Sequence, residues 1–351
     1  MKILFGVFDW GLGHATRDTP LIEELLKDKN EVHILSTGKP LKLLREYFKN
    51  RCKYHEVLSV YEIYNNTCTR LEVALNVLKL LKSLKIARKK SKEIIEKEKF
   101  DIVISDCRYD VYDKVDNSYL INHQLRFNLP FIVRDLLEIW LAKRMSKYKY
   151  VIVPDYENNN LTGILSHDLI YFPREKIKYI GILSHIKKIR VKQDIDYFIS
   201  LSGPEKTRIE LEKKILTDVK ELKEKIVIAG GNPNIKEKSF SKNIKFYSFL
   251  DSKKQEEMMN QAKFIIIRGG YTTIMELSEL NKKALLIPSP GQPEQEYIAK
   301  HLEKEKYFHH VPQSTLNLKK DIEKSKNFNG FSPIWKTHES VKKFMNIIKS
   351  K

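Results

Sequence analysis

The stretch from Lys263 to Lys300, KFIIIRGGYTTIMELSELNKKALLIPSPGQPEQEYIAK, decides how the rest of the chain is read. It holds two short apolar runs, 264–267 and 284–287, each followed by a turn and then by a helical pattern. The first turn is Arg268, Gly269 and Gly270, and Thr272 or Thr273 opens a helix whose Ile274, Met275 and Leu277 face a core, with Glu276 inside it. The second turn, Pro288 to Gly291, leads into a helix carrying Gln292, Glu294, Gln295 and Glu296. Two parallel strands ending side by side are the expectation. In an open α/β sheet a ligand sits beyond the carboxyl ends of the strands, where glycines admit it to backbone N–H groups at helix starts. Phosphate and sugar hydroxyls suit such a place, and a carboxylate one turn into the helix can accept both hydroxyls of a ribose.

This segment resembles the donor-binding half of GT-B glycosyltransferases, closest to family 28, and the resemblance extends from Met1 to about Lys306. It implies two Rossmann-like, doubly wound domains facing each other across a cleft. The Gly-rich turn and Glu276 would hold a nucleotide, and Gln292, Glu294 and Gln295 the sugar. No permanently bound cofactor and no metal are expected, and a nucleotide sugar, by resemblance a UDP-sugar, is the donor.

The opening of the chain repeats the design. Residues 3–8 read as a buried strand, and Gly11, Gly13, His14 and Arg17 lie in the turn into a helix with Leu21, Ile22, Leu25 and Leu26 on one side. The glycine spacing 6, 11, 13 is not a dinucleotide fingerprint, and the second strand ends in Ser36, Thr37 and Gly38 without an acid for a ribose. A nicotinamide cofactor is therefore not expected. Residues 100–106 deliver Ser105, Asp106, Arg108 and Tyr109 to a strand end, and residues 119–124 deliver His123 and Gln124. Gly11, Gly13, Arg17, Arg108, His123 and Gln124 are the expected acceptor side. Asp106 and His14 are the two candidates for the base, with Asp106 ahead because Arg108 and His123 give it neighbours.

At 351 residues two domains are the natural division, since domains run to about 100–200 residues. A basic, poorly periodic stretch, residues 185–190, follows Leu183. The expected division is 1–183 for the acceptor side, 184–333 for the nucleotide-sugar side, and 334–351 for a last helix returning to the first domain. In the second domain residues 196–202 read as a strand, and Gly203 and Arg208 form a diphosphate loop joined by Gly230 and Arg268. Asp194 and Asp196 have the D-x-D form of metal-dependent transferases but precede a strand, which argues against a metal role.

The formal charge of +19 calls for an anionic partner. The lysines spread over many helices without a nucleic-acid motif, so nucleic acid is not expected. A long basic helix, 70–97, suggests a membrane-surface face, against the alternative of a core helix with a solvated basic side. Three cysteines without close spacing (Cys52, Cys68, Cys107) suit a reducing interior. No run approaches the roughly 18 apolar residues of a membrane-spanning helix. The expectation is a cytoplasmic enzyme, peripheral on an anionic membrane, that transfers a hexosyl group with inversion to a sugar or lipid-linked acceptor hydroxyl. A sugar-nucleotide epimerase of the same architecture and a basic nucleic-acid-binding protein are the alternatives.

Overall fold

The structure, a computed structural model, describes residues 1–57, 70–231, 238–239 and 241–350, without the side chains of 70–81 and 238–239. Cys68 lies outside the described residues. The chain divides into two compact units, one of Met1–Asn160, Ile164–His185 and Trp335–Lys351, the other of Leu161–Gly163 and Ile186–Ile334.

The first unit is built on β1 (Lys2–Gly6), β2 (Glu31–Ser36), β3 (Lys53–Glu56), β4 (Ile102–Asp106), β5 (Ser118–Ile121), β6 (Tyr150–Val153) and β7 (Ile177–Tyr179). All pair in parallel in the order β3-β2-β1-β4-β5-β6-β7. Parallel strands need helical crossovers. Those are α1 (Gly13–Lys27), α2 (Gly38–Phe48), α3 (Arg70–Glu98) and α4 (Phe131–Met145). With helices on both faces the inner strands are buried on both sides and rich in Val, Ile and Leu, whereas the edge strands β3 and β7 are half-exposed. The strand order reverses between β1 and β4, and in an open α/β sheet the carboxyl ends at such a reversal are where a crevice forms.

The second unit repeats this plan with β8 (Ile195–Ser200), α5 (Glu205–Asp218), β9 (Ile226–Ala229), β10 (Lys238–Ser239), β11 (Ile244–Tyr247), α6 (Ser252–Gln261), β12 (Ala262–Ile267), α7 (Tyr271–Leu280), β13 (Lys283–Leu286), α8 (Pro293–Lys304), β14 (His309–His310) and α9 (Leu318–Ser325). Its order is β10-β11-β9-β8-β12-β13-β14, with β10 antiparallel at the edge and the reversal between β8 and β12. Ile199, Ile228, Ile266 and Leu285 from four of these strands share one core. Helix α6 was not expected: its sequence, SKKQEEMMNQ, has only two apolar residues, and the Asp251 carboxylate accepting from Lys254 N starts it.

The last helix, α10 (Thr337–Lys349), belongs to the first unit and packs on α1. Val341, Phe344, Met345 and Ile348 are its buried face. Trp335 Nε1 donates to Ile180 O at 2.8 Å, and Tyr156 Oη to Trp335 O at 2.6 Å, so the segment entering the helix is fixed to the strand side of the unit. Phe344→Ala should cost about 3–5 kcal/mol, the usual effect of emptying a buried aromatic site. Chemical denaturation with a near-ultraviolet readout checks this, and a loss under about 1 kcal/mol would mean that α10 only rests on the surface.

Candidate functional site

Both reversal points carry polar groups. In the first unit, the turn after β1 runs through Gly11, in the left-handed region at φ +72°, to Gly13 and His14 at the start of α1. One turn on, Arg17 points into the sheet and is 1% exposed. Asp106, at the end of β4, is fully buried. Its carboxylate accepts from His14 Nδ1 at 2.7 Å and from Arg17 Nε at 3.2 Å, and its other oxygen meets Arg17 Nη2. Arg17 Nη1 reaches His123 Nδ1 at 2.8 Å. A guanidinium only donates, so His123 Nδ1 accepts and the ring carries its proton on Nε2.

Electrostatics fix the state of the cluster. Burial pushes the Asp106 carboxyl up, but the Arg17 guanidinium and the His14 hydrogen bond outweigh it and hold the group well below the usual carboxylate range. An ionised Asp106 can only accept, so the proton shared with it sits on His14 Nδ1, and Nε2 presents its lone pair. Burial first, and then the Arg17 charge, lower the His14 pKa below 6.5, leaving the ring neutral at neutral pH. Asp18, the next residue on α1, is fully buried, and burial followed by the Asp106 charge raises its carboxyl well above the ordinary value. The ion pair at the core of the site is Arg17 with Asp106. His14, Asp106 and Cys107 bring possible ligand atoms within 4.8 Å of one another. Asp106 in that trio is already bound to Arg17, and burial raises the Cys107 thiol well above its ordinary value.

Arg108 is not the neighbour of Asp106 that the sequence led us to expect. It turns away and pairs with Asp110 through Nε (2.9 Å) and Nη2 (2.8 Å), both residues being buried, and Ser91 Oγ adds a contact to the same carboxylate. Asp106 and Asp110 are each two residues from Arg108, but the Asp106 carboxylate is already held by Arg17 and His14. Gln124 is half-buried, and its backbone N donates to Asn122 Oδ1. The orienting groups around Asp106 are Arg17 and, through it, His123. Asp18 escaped sequence reading because nothing in a helical D after R announces a buried carboxyl.

In the second unit, Gly203, at φ +97°, lies in the loop between β8 and α5, and Gly270 caps α7 just beyond β12. A side chain at Gly231 would collide with the Leu201 carbonyl, so the ends of β8 and β9 approach closely there. Arg208 and Arg268 are both buried and act on backbone rather than standing as open counter-charges. Arg208 Nη1 donates to Gly230 O at 2.9 Å. Arg268 donates to Ser202 O (3.2 Å), Thr207 O (2.9 Å) and Gln313 Oε1 (2.7 Å), and burial lowers its pKa to about 10. It ties the Gly203 loop and the start of α5 to the end of β12. Gly269 is buried behind Gln295. Thr272 is half-buried in the first turn of α7, and Glu276 is buried one turn further. Gln295 Oε1 accepts from Ser289 N (3.0 Å), Gln295 Nε2 donates to Gln292 Oε1 (3.2 Å), and Glu294 is half-buried beside them. Asp194 and Asp196 lie at the opposite end of β8, bound to Lys225 and Lys263.

Residues 206–350 match the glycosyltransferase family 28 C-terminal domain, and residues 1–136 match glycosyl transferase family 1. No curated protein matches the chain. Among solved structures, the glycotransferase of kitacinnamycin superposes with a TM-score of 0.69 at 11% identity, over 99% of this chain and 97% of that one. Acinetobacter baumannii MurG gives 0.59 at 13%, covering 99% of both chains. The spinosyn rhamnosyltransferase SpnG complexed with thymidine diphosphate gives 0.63 at 12%, over 99% and 96%. These likenesses carry the two-domain GT-B fold.

Asp106→Asn should leave the Arg17 charge buried without a counter-charge and cost about 3–5 kcal/mol. The pair Arg17→Met with Asp106→Asn should recover part of that loss, and additive losses in a double-mutant cycle would show that the two groups are not coupled.

Proposed function

The chain is a GT-B glycosyltransferase resembling family 28, and we propose that it moves a hexosyl group, with inversion and without a metal, from a UDP-sugar to an acceptor hydroxyl. The observation that carries this reading is the His14–Asp106 pair, a neutral imidazole with its Nδ1 proton held by a buried carboxylate and its Nε2 facing away from it. The acceptor O–H loses its proton to His14 Nε2 as its oxygen attacks the sugar's anomeric carbon, and the bond to the diphosphate breaks with its electron pair on the leaving oxygen. His14 therefore takes the role of base that the sequence divided between it and Asp106. Asp106, strongly acidic in its setting, holds the ring and stabilises the imidazolium that forms.

Donor binding belongs to the second unit. The starts of α5 and α7, at Gly203 and Gly270, are suited to the diphosphate. Glu276 takes the ribose hydroxyls, and the Gln292–Gln295 pair the sugar. Arg208 and Arg268 hold these loops in place. The acceptor is lipid-linked and met at an anionic membrane surface from the cytoplasmic side. The family 28 match and the +19 charge support these finer choices. Among the described residues no helix is long and apolar enough to cross a membrane.

A thermal-shift screen of UDP-, GDP- and thymidine diphosphate sugars tests the donor. At 100 times its dissociation constant a one-site ligand adds about 2.7 kcal/mol. UDP-sugars should shift the transition, and a shift with another base alone would overturn the choice. Glu276→Ala removes hydrogen bonds to a charged group worth about 1.5–3 kcal/mol, which amounts to about 10- to 150-fold weaker UDP binding. Unchanged affinity in the folded variant would refute the ribose assignment.

His14→Ala should lower turnover by about 10²–10⁴-fold with donor affinity nearly constant. Because the folded pKa of His14 lies below 6.5, wild-type kcat/KM should fall as pH drops through a value under 6.5 and stay level for this group above it. An acid limb centred above pH 7 would contradict the neutral ring.

A further inference from the structure

Asp18 is a buried acid beside His14 that the transfer reaction leaves without a task. It is fully buried in α1, and neither carboxyl oxygen meets an N–H or O–H donor among the described residues. Arg17, the residue before it, directs its N–H groups to Asp106, His123 and the Cys107 sulfur. A buried carboxylate with no donor would be an unsolvated charge, and such a group binds a proton instead. An unbonded polar group in a folded interior also requires a reason.

Helical spacing supplies one. Residues three and four apart share a face of a helix, so His14, Arg17 and Asp18 lie together on the face of α1 turned toward the end of β4. The first two already hold Asp106 there. His14 Nδ1 and Arg17 Nε both meet Oδ2, at 2.7 and 3.2 Å, and Arg17 Nη2 meets Oδ1. A carboxylate offers about four lone-pair sites, two on each oxygen, so one site on Oδ1 remains. Asp18 lies within hydrogen-bonding reach of this carboxylate. Two acids in contact do not both ionise. Asp106, despite its burial, is held ionised by the Arg17 guanidinium, whereas burial and then the Asp106 charge push the Asp18 carboxyl well up. The other groups around the pair have partners of their own. The Cys107 thiol has Asn122 Oδ1 at 3.4 Å and Ile121 O at 3.7 Å as acceptors, and His123 Nδ1 meets Arg17 Nη1. The buried faces of α2 and α10, which pack on α1, carry no titratable group.

We propose that the Asp18 carboxyl keeps its proton and donates a hydrogen bond to Asp106 Oδ1, positioning the carboxylate on which His14 depends. This rests on the reading of His14 as the base. A carboxylic acid kept neutral by its surroundings can donate where a carboxylate can only accept. Asp18 thus adds a donor to Asp106 without adding a second negative charge beside the imidazole. With its charge divided among His14, Arg17 and Asp18, Asp106 draws a proton onto His14 less strongly, so the ring stays available to take one from the acceptor. Asp18 itself transfers no proton in the reaction.

The test compares the full chain with its Asp18→Asn and Asp18→Leu variants. In infrared difference spectra at neutral pH the wild type should show the carbonyl stretch of a protonated carboxylic acid, and Asp18→Asn should lack it. Asp18→Leu removes the donor, and Asp106 then holds the imidazolium more tightly. The acid limb of kcat/KM and the titration of the His14 ring, followed by nuclear magnetic resonance, should both move up by about one pH unit. Asp18→Asn keeps an N–H for Asp106 and should reverse most of that displacement. Should Asp18→Leu fail to fold, the infrared band and the Asp18→Asn profile decide the matter. Absence of the carboxylic acid band, or an Asp18→Leu profile like that of the wild type, overturns the proposal. So does an acid limb that Asp18→Asn moves below the wild type's, because that variant would then have removed a negative charge. A band from Asp18 without transfer from any nucleotide sugar leaves this inference standing and sinks the transferase reading; transfer without the band does the reverse.

Discussion

A guanidinium from α1 and a carboxylate from β4, both out of contact with water, set the terms for the first unit's site. Neither could be buried alone, because an isolated ion in the interior costs far more than one hydrogen bond returns. Together they fix where α1 sits over the sheet. The His14 ring, one turn before Arg17, is thereby held with Nδ1 on the carboxylate, and the His123 ring, just past the end of β5, with Nδ1 toward the guanidinium. The same pair sets the charge state of the surroundings. Burial, and then the Asp106 charge, push the Asp18 carboxyl well up, while burial and Arg17 push the His14 imidazole down. Nδ1 of His14 is thereby committed to the carboxylate.

The second unit solves its own problem without a counter-ion. Arg268 donates to three backbone carbonyls, of Ser202, Thr207 and Ile287, and to the Gln313 amide oxygen. A cation spread over carbonyl dipoles is costlier to bury than a paired one, as the lowering of its pKa to about 10 records. In return three chain segments distant in sequence are held to one point at the end of β12, the point where an anion is expected. A helix start can serve an anion only if its approach is fixed beforehand, and Arg268 supplies that fixity.

The strands and the crossover helices were legible because parallel sheets bury both faces of each strand, which turns them into apolar runs such as 102–105 and 264–267 that no helix period imitates. The loops were legible through Gly11, Gly13, Gly203 and Gly270. Pairings were not. Arg17 and Asp106 are 89 residues apart, and only the folded sheet makes them neighbours. Arg108, two residues from Asp106 in sequence, looked nearer and yet pairs with Asp110. The polar helix α6 and the two-residue strands β10 and β14 lack the periodicity that sequence reading depends on.

Charge shows the same limit in a different way. A net +19 states that an anionic partner is favoured but gives no location, since α3, α5 and α9 all carry lysines on solvated faces. Helix α4 differs from these because of the sheet underneath it. Once Leu141 and Met145 are turned toward the core, the remaining apolar residues of the same helix have to face outward. A sequence window shows only that α4 is rich in apolar residues, and that is equally true of a helix buried on all sides. The distinction depends on which residues the neighbouring strands cover, and therefore on topology rather than composition.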